Sequence, residues 1–327
     1  AANYPFCTIE PNQGILLVPD RRLERIAEVS KPEILTGDTI EFVDIAGLVA
    51  GASRGEGLGN KFLAHIREMD ALGRVVRLFE DGDVINPLGS IDPLRDIDII
   101  DTELMLADLQ AIEKRRERTT RMLKTGEARY KEELELLDAY QAELEAGIPL
   151  RRTDLEPIYE LPLLSSKPIM YVANVEEGSQ ELHPALVVRA EEEGAEVIAV
   201  SAAFEMELSQ LEPEEAELFL ADAGMEKPAL HRLVEAGLRL LDLITFYTIK
   251  GKETRSWIIP RGTLAPQAAG RIHTDMERGF IRAEVVPWDV LIEQGSHAAC
   301  REKGLLQIEG RDYVVQDGDV ILFRFNV

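Results

Sequence analysis

Residues 40–61 read IEFVDIAGLVAGASRGEGLGNK, an apolar, β-branched run that closes on Asp44-Ile45-Ala46-Gly47 and then opens into a glycine-rich loop. A strand ended by a carboxylate puts Asp44 at the C-terminal edge of a parallel sheet, where ligands bind in open α/β folds. A carboxylate there holds Mg²⁺ through water, and Gly47, with no Cβ, brings its backbone N–H close to a terminal phosphate. This is the pattern of a nucleoside-triphosphate switch, with the glycine-rich tail as its moving part. Asp-x-x-Gly alone is a common string, so its neighbours decide the reading.

Upstream, residues 1–11 (AANYPFCTIEP) are loop-like, punctuated by Pro5 and Pro11, and residues 14–19 read as a short buried strand. Thr8 therefore sits in a loop just ahead of a strand, where a switch protein offers a hydroxyl to Mg²⁺. Residues 21–29 read as a helix and 39–44 as a strand. Further strands are predicted over 74–79 (RVVRLF), 169–173 (IMYVA) and 196–200 (EVIAV), with helical segments between. Such alternation argues for a doubly wound α/β domain.

Composition narrows the function classes. The 327 residues, 45% hydrophobic, suffice for two or three domains with real cores. A formal charge of -24 repels phosphate, so broad adhesion to nucleic acid or anionic membrane is excluded and any RNA contact must be local. Cys7 and Cys300 form no Cys-x-x-Cys, and the five histidines show no metal-ligand spacing, so neither a disulfide framework nor a transition-metal site is expected. No apolar run approaches the ~20 residues of a membrane span, and no signal peptide is visible. A cytoplasmic protein is the expectation, with a monomer favoured. There is no initiator methionine.

Between residues 97 and 145 the strand signals stop. Met105, Leu109, Ile112, Thr119 and Leu123 recur at helical spacing, with Arg116 between; Tyr130, Leu134, Leu137, Gln141 and Leu144 do the same. Two helices joined near Lys124-Thr125-Gly126-Glu127 make an antiparallel hairpin, each helix roughly 20 to 30 Å long. Its basic run Lys114-Arg115-Arg116-Glu117-Arg118 is either a phosphate-binding face or a solvated surface balanced by nearby glutamates. Helices are predicted over 213–223, started by Pro213 and stopped by Gly224, and over 230–241. Beyond residue 243, short strands near 245–249, 255–259, 280–285, 305–308 and 320–325 mark a small α+β domain. Lys250, Lys252, Arg255, Arg261, Arg271, Arg278 and Arg282 make it locally basic, as an RNA-facing surface or as scattered cations. His273 beside Asp275 has no marked nucleophile to activate and reads as structural.

Asn174-Val175-Glu176-Glu177 follows the 169–173 strand. Guanine-nucleotide switches end this strand in Asn-Lys-x-Asp, whose carboxylate accepts from the guanine N1 and N2 donors. Here the aspartate is the longer Glu177, and adenine has no donor at N1, so the main reason to prefer guanine is removed while the Asn174 amide still serves the N6/N7 edge. Ser201-Ala202, after the next strand, lies where such folds close the base pocket with backbone groups.

Taken in order, YPFCTIEPNQG, IEFVDIAGLVAGASRGEGLGNKFL, NVEE, APQAAGRIHTDMERGFIRAEV and DGDVILFRFNV closely resemble the YchF subfamily of Obg-like ATPases over essentially the whole chain. The resemblance implies a Ras-like P-loop NTPase domain (residues 1–96 and 161–243), an inserted helical hairpin (97–160) and a C-terminal β-grasp domain of the TGS type (244–327). It implies Mg-ATP hydrolysis, with GTP accepted less well, and association with the ribosome through the hairpin and TGS domain. It makes Thr8 and Asp44 the Mg²⁺ residues and Gly47 the γ-phosphate sensor. Asn174, Val175 and Glu177 with Ser201 and Ala202 become the base site. The rival expectation is a ribosome or RNA adaptor whose hydrolysis is incidental.

Three departures qualify the resemblance. The phosphate-cradling Gly-x-x-x-x-Gly-Lys-Ser/Thr is expected in roughly 25 to 30 residues ahead of Ala1; residues 55–62 (GEGLGNKF) are no substitute, because Asn60 separates glycine from lysine and no hydroxyl follows. Leu48 replaces the water-orienting glutamine and cannot align water. Aligning the motifs puts Asn86 where relatives often carry a histidine; asparagine can position water but cannot act as a general base, so either turnover is slow or the role falls to another group.

Overall fold

A computed structural model of the chain describes residues 12–45, 58–80, 90–158 and 160–326. Thr8, Gly47, Leu48 and Asn86 lie outside them. By contact the chain forms two compact units, residues 1–13 with 43–232, and residues 14–42 with 233–327.

The first unit is built on three parallel strands, β4 (Leu72–Arg77), β5 (Ile169–Asn174) and β6 (Val197–Val200), in the order β4-β5-β6. They follow, in the chain, β1 (Asn12–Leu17), α1 (Arg21–Ser30), β2 (Ile34–Thr36), β3 (Thr39–Asp44) and α2 (Leu58–Glu68). β5 reads IMYVAN and is buried along most of its length, as a central parallel strand must be. Leu72 pairs with Ile169 and Arg77 with Asn174, so β4 starts two residues before the predicted RVVRLF strand. The core around the sheet holds Val76, Ile97, Tyr171, Ala173 and Leu186.

The hairpin consists of α3 (Pro93–Met122) and α4 (Ala128–Glu145). Asp92 caps α3 by accepting from Arg95 N at 3.0 Å, and Pro93, which has no N–H to lose, occupies the first turn. At 1.5 Å per residue the 30 residues of α3 span about 45 Å and the 18 of α4 about 27 Å. The expected 20 to 30 Å holds for α4 only. α3 is longer because its first turns are part of the base, where Ile97 and Leu104 are buried in sheet-side cores. The seam is Met105, Ile112, Leu137, Tyr140 and Leu144, with Tyr140 rather than Gln141 as the buried position. Gly126, at φ 78°, turns the chain in the left-handed region that a Cβ disfavours. Arg115 meets Glu133 at 2.6 Å and Arg116 meets Asp138 at 2.6 Å, which supports the charge-balanced reading of the basic run.

In the chain, α5 (Pro184–Glu193) lies between β5 and β6, α6 (Ala202–Leu208) and α7 (Pro213–Asp222) follow β6 in the first unit, and α8 (Ala229–Leu240) crosses the division at 232/233. The second unit carries β7 (Leu243–Lys250), β8 (Glu253–Pro260), α9 (Ala265–Ile272), α10 (Thr274–Arg278), β9 (Phe280–Pro287), α11 (Trp288–Gln294), α12 (His297–Glu302), β10 (Gln307–Glu309) and β11 (Asp319–Phe325). Its six-stranded sheet has the order β10-β9-β11-β7-β8-β2, with β11 parallel to β7 and β2 parallel to β8.

Residues 14–42 fall with this C-terminal unit, a division that differs from the sequence-based assignment of 1–96 to the nucleotide domain. The cause is visible side chain by side chain. β2, which carries no strand signal of its own, pairs with β8. Leu23 and Ile26 of α1 are buried with Tyr247, Val286, Leu291, Cys300 and Val320. Asp38 accepts from Ile258 N at 2.7 Å, and its own N–H donates to Ser256 Oγ at 2.9 Å. β1 is not the buried strand expected: it pairs with β3 in a two-stranded sheet rather than standing inside a larger one, and Ile15 and Leu17 are 71% and 67% exposed.

Candidate functional site

β5 and β6 run parallel with Asn174 opposite Val200, so Asn174 and Ser201-Ala202 leave the same end of the sheet. One residue on, Val175 N donates to Val200 O at 2.9 Å, and the Val175 side chain is buried in the sheet core. This fixes the position of Asn174. Its Oδ1 accepts from Ala202 N at 3.3 Å, leaving the two amide N–H groups as donors. Ser201 is buried and caps α6, its Oγ accepting from Phe204 N at 3.4 Å. Glu176 and Glu177 are exposed in a turn that Gly178 closes at φ 75°. A side-chain amide fixed beside a helix N-terminus can donate to the acceptor edge of a planar base.

Asp44 ends β3 and is exposed, the position and donor type that a hydrated Mg²⁺ accepts. Ile45, next to it, packs with Leu63 and Ile66 of α2, Leu104 and Ala107 of α3, and Leu164. The residue after the carboxylate is thus seated in the core that joins α2 to the root of the hairpin. Two polar devices hold that core. Lys167 Nζ donates to Arg67 O at 3.2 Å and to Met69 O, capping the C-terminal end of α2 with a cation. Asp108, buried on α3, accepts from Leu164 N and Ser165 N at 2.7 Å each. Burial pushes its carboxyl up from the ordinary range against the pull of those bonds.

A third device ties both roots of the hairpin to the sheet. Asp101 of α3 meets Arg74 of β4 at 2.5 Å and Arg151 at 2.7 Å, and Arg151 reaches Glu193 of α5 at 3.1 Å. Tyr171 of β5 donates to Glu193 at 2.9 Å. Burial alone would raise the Asp101 carboxyl, but the hydrogen bonds and charges of Arg151 and Arg74 outweigh it and hold it at about 2.

The structure thus brings Asn174, Val175, Ser201 and Ala202 together, with Glu177 exposed three residues beyond Asn174. Asp44 belongs to the two-stranded sheet rather than to the one that carries them. Thr8, Gly47 and Asn86 fall outside the described residues. His273 caps α10, its Nδ1 accepting from Asp275 N at 3.2 Å, a structural role. Cys300 is buried and burial raises its thiol, so it packs rather than reacts. Among the described residues no group of three or more His, Cys, Asp or Glu is placed to hold a metal, and no helix is long and apolar enough to cross a membrane. The residues missed from sequence are Arg74, Asp101, Arg151, Glu193, Asp108 and Lys167. Each pairs across 22 to 100 positions, and no local pattern signals such a pairing.

Residues 1–107 match a family model described as a 50S ribosome-binding GTPase, and residues 243–326 match the YchF-GTPase C-terminal model, described as a protein of unknown function. A ribosome-binding ATPase YchF from Pasteurella multocida is 51% identical over 335 residues, covering 100% of this chain and 92% of the relative. The Bacillus subtilis protein of the same name is 44% identical over 338 residues with the same coverage. The solved YchF GTPase of Schizosaccharomyces pombe superposes with a TM-score of 0.85 at 35% identity, covering 99% of this chain and 90% of that one. Similarity of this degree over the whole length leaves one conclusion: the chain belongs to the YchF family.

Proposed function

We propose that the chain is a ribosome-associated nucleotide hydrolase acting as a slow, Mg²⁺-dependent switch, with ATP preferred over GTP. Hydrolysis and ribosome association follow the names its relatives carry. The observation that carries the nucleotide reading is the Asn174–Ala202 hydrogen bond at the β5–β6 edge, which fixes an amide donor beside a helix N-terminus. Adenine preference rests on Glu177, too long and too exposed a replacement for the aspartate that would read guanine.

Thr8 and Asp44 are the residues to hold Mg²⁺, which when bound neutralises charge on the β- and γ-phosphates. Gly47 offers its backbone N–H to the γ-phosphate. Leu48 excludes the usual glutamine from water positioning, and Asn86 takes that role without serving as a base, which keeps turnover slow. The state of the site is passed on through Ile45 and α2 to the root of α3. Single-turnover cleavage of Mg-ATP by the intact protein, with and without ribosomes, tests the reading: slow cleavage above background supports it, and none in either condition defeats the enzyme in favour of an adaptor.

A further inference from the structure

Three of the seven cations singled out from sequence in the C-terminal unit are neutralised one for one: Lys252 by Glu33 at 2.5 Å, Arg261 by Asp242 at 2.8 Å and Arg271 by Asp38 at 3.7 Å. A surplus of positive charge gathers around another of them, Arg282. Glu284 of β9, its side chain 5% exposed, is met by Arg324 at 2.9 Å, Arg301 at 2.6 Å and Arg282 at 3.5 Å. Three guanidiniums against one carboxylate leave a local excess of two positive charges.

The topology puts this cluster on one sheet face. Arg282 of β9 stands directly opposite Arg324 of β11, and Glu284 opposite Leu322. Ile308 of β10, 66% exposed, flanks Glu284 on the other side. Cys300, on the same helix as Arg301, packs on Val286 and Val320, so α12 brings Arg301 to that face. The three arginines remain 44 to 58% exposed, and of the five N–H donors on each, Glu284 accepts one from Arg301 and two from Arg324, while Arg282 meets it as an ion pair at 3.5 Å. His297 on α12 senses the same field: burial and the charge of Arg301 lower its pKa, and its Nε2 is buried without a hydrogen-bond partner among the described residues.

We propose that Arg282, Arg301 and Arg324 form a binding site for the phosphodiester backbone of RNA. Resting on the ribosome reading above, the site gives that reading a contact surface. Guanidinium forks match phosphate oxygens bidentately, and opposite residues of an antiparallel pair stand about 5 Å apart, close enough to serve one phosphate or two neighbours. Exposed Ile308 and half-buried Leu322 offer apolar surface for a ribose or base alongside. The site operates against a chain charge of -24 because screening over about 8 Å at physiological salt confines each field to its neighbourhood. An RNA is therefore held locally and briefly rather than wrapped.

The test uses the intact protein, a fluorescein-labelled 12-nucleotide single-stranded RNA, and the double variant Arg282→Ala/Arg301→Ala, which retains the Arg324–Glu284 pair and so avoids stranding a buried charge. The variant should bind the RNA about tenfold more weakly, with its salt slope smaller by about 1.4, two contacts at ~0.7 each. Its ATP turnover should be unchanged, and polyglutamate should compete poorly. Wild-type RNA affinity and slope in a variant that melts normally would overturn the site, as would a wild-type protein that ignores RNA or prefers polyglutamate. None of these results bears on whether wild-type protein pellets with ribosomes, so failure of the ribosome reading remains separately visible.

Discussion

Asp44 is one carboxylate on an exposed strand end, proposed above to hold Mg²⁺, and its half-buried neighbour Ile45 packs against the core between α2 and α3. Asp44→Ala removes the charge without disturbing that core, so the fold should survive while Mg²⁺-dependent nucleotide binding or turnover is lost. Unchanged turnover with an unchanged melting curve would take Asp44 out of the site. At this scale the sequence was most legible where a residue type acts through its own backbone position. Asn174 and Ser201-Ala202 stand after consecutive strands, and strand order alone predicted that they would meet, as the 3.3 Å hydrogen bond shows. Arg301 and Arg324 were not legible, because their surplus charge exists only relative to Glu284, 17 and 40 positions away.

The hairpin is the element whose attachment matters most. Its two roots converge on a buried ionic cluster, and Asp101 is the group shared by Arg74 and Arg151. A carboxyl held at about 2 against an ordinary 3.8 means that the unfolded chain binds the proton first as pH falls. The stability it contributes is therefore fully present above pH 3.8 and lost as pH drops from there towards 2, amounting to about 2 kcal/mol. Asp101→Asn should lower stability at pH 7 by about that amount and show a shallower decline in acid. Urea melts of both proteins across pH 5 to 3 measure the difference; parallel curves would mean that the cluster contributes no linked stability. The helices themselves were readable from their periodicity. The length of α3 was not, because its first turns belong to the sheet-side cores and lack the seam pattern.

At the scale of the whole molecule, the chain is two units that interleave in sequence. The α/β alternation and the strand-rich C-terminal end were legible, since each element buries its own periodic face. The transfer of residues 14–42 to the C-terminal unit was not. It rests on the short β2, on Asp38 bonding to β8, and on two apolar residues of α1, none of which announces a distant partner. A charge of -24 repels polyphosphate from most of the surface, so in the proposed reading a nucleotide is held by local donors with a divalent cation, and the proposed base site is where ATP and GTP would be told apart. In the proposed reading Asn174 serves either purine, and adenine is preferred because the exposed Glu177 leaves no guanine-reading aspartate. Calorimetric titration of the intact protein with Mg-ATP and Mg-GTP tests it directly. ATP should bind more tightly than GTP, and Asn174→Ala should weaken both about tenfold through loss of one hydrogen-bonding amide; GTP binding tenfold tighter than ATP would overturn the adenine reading.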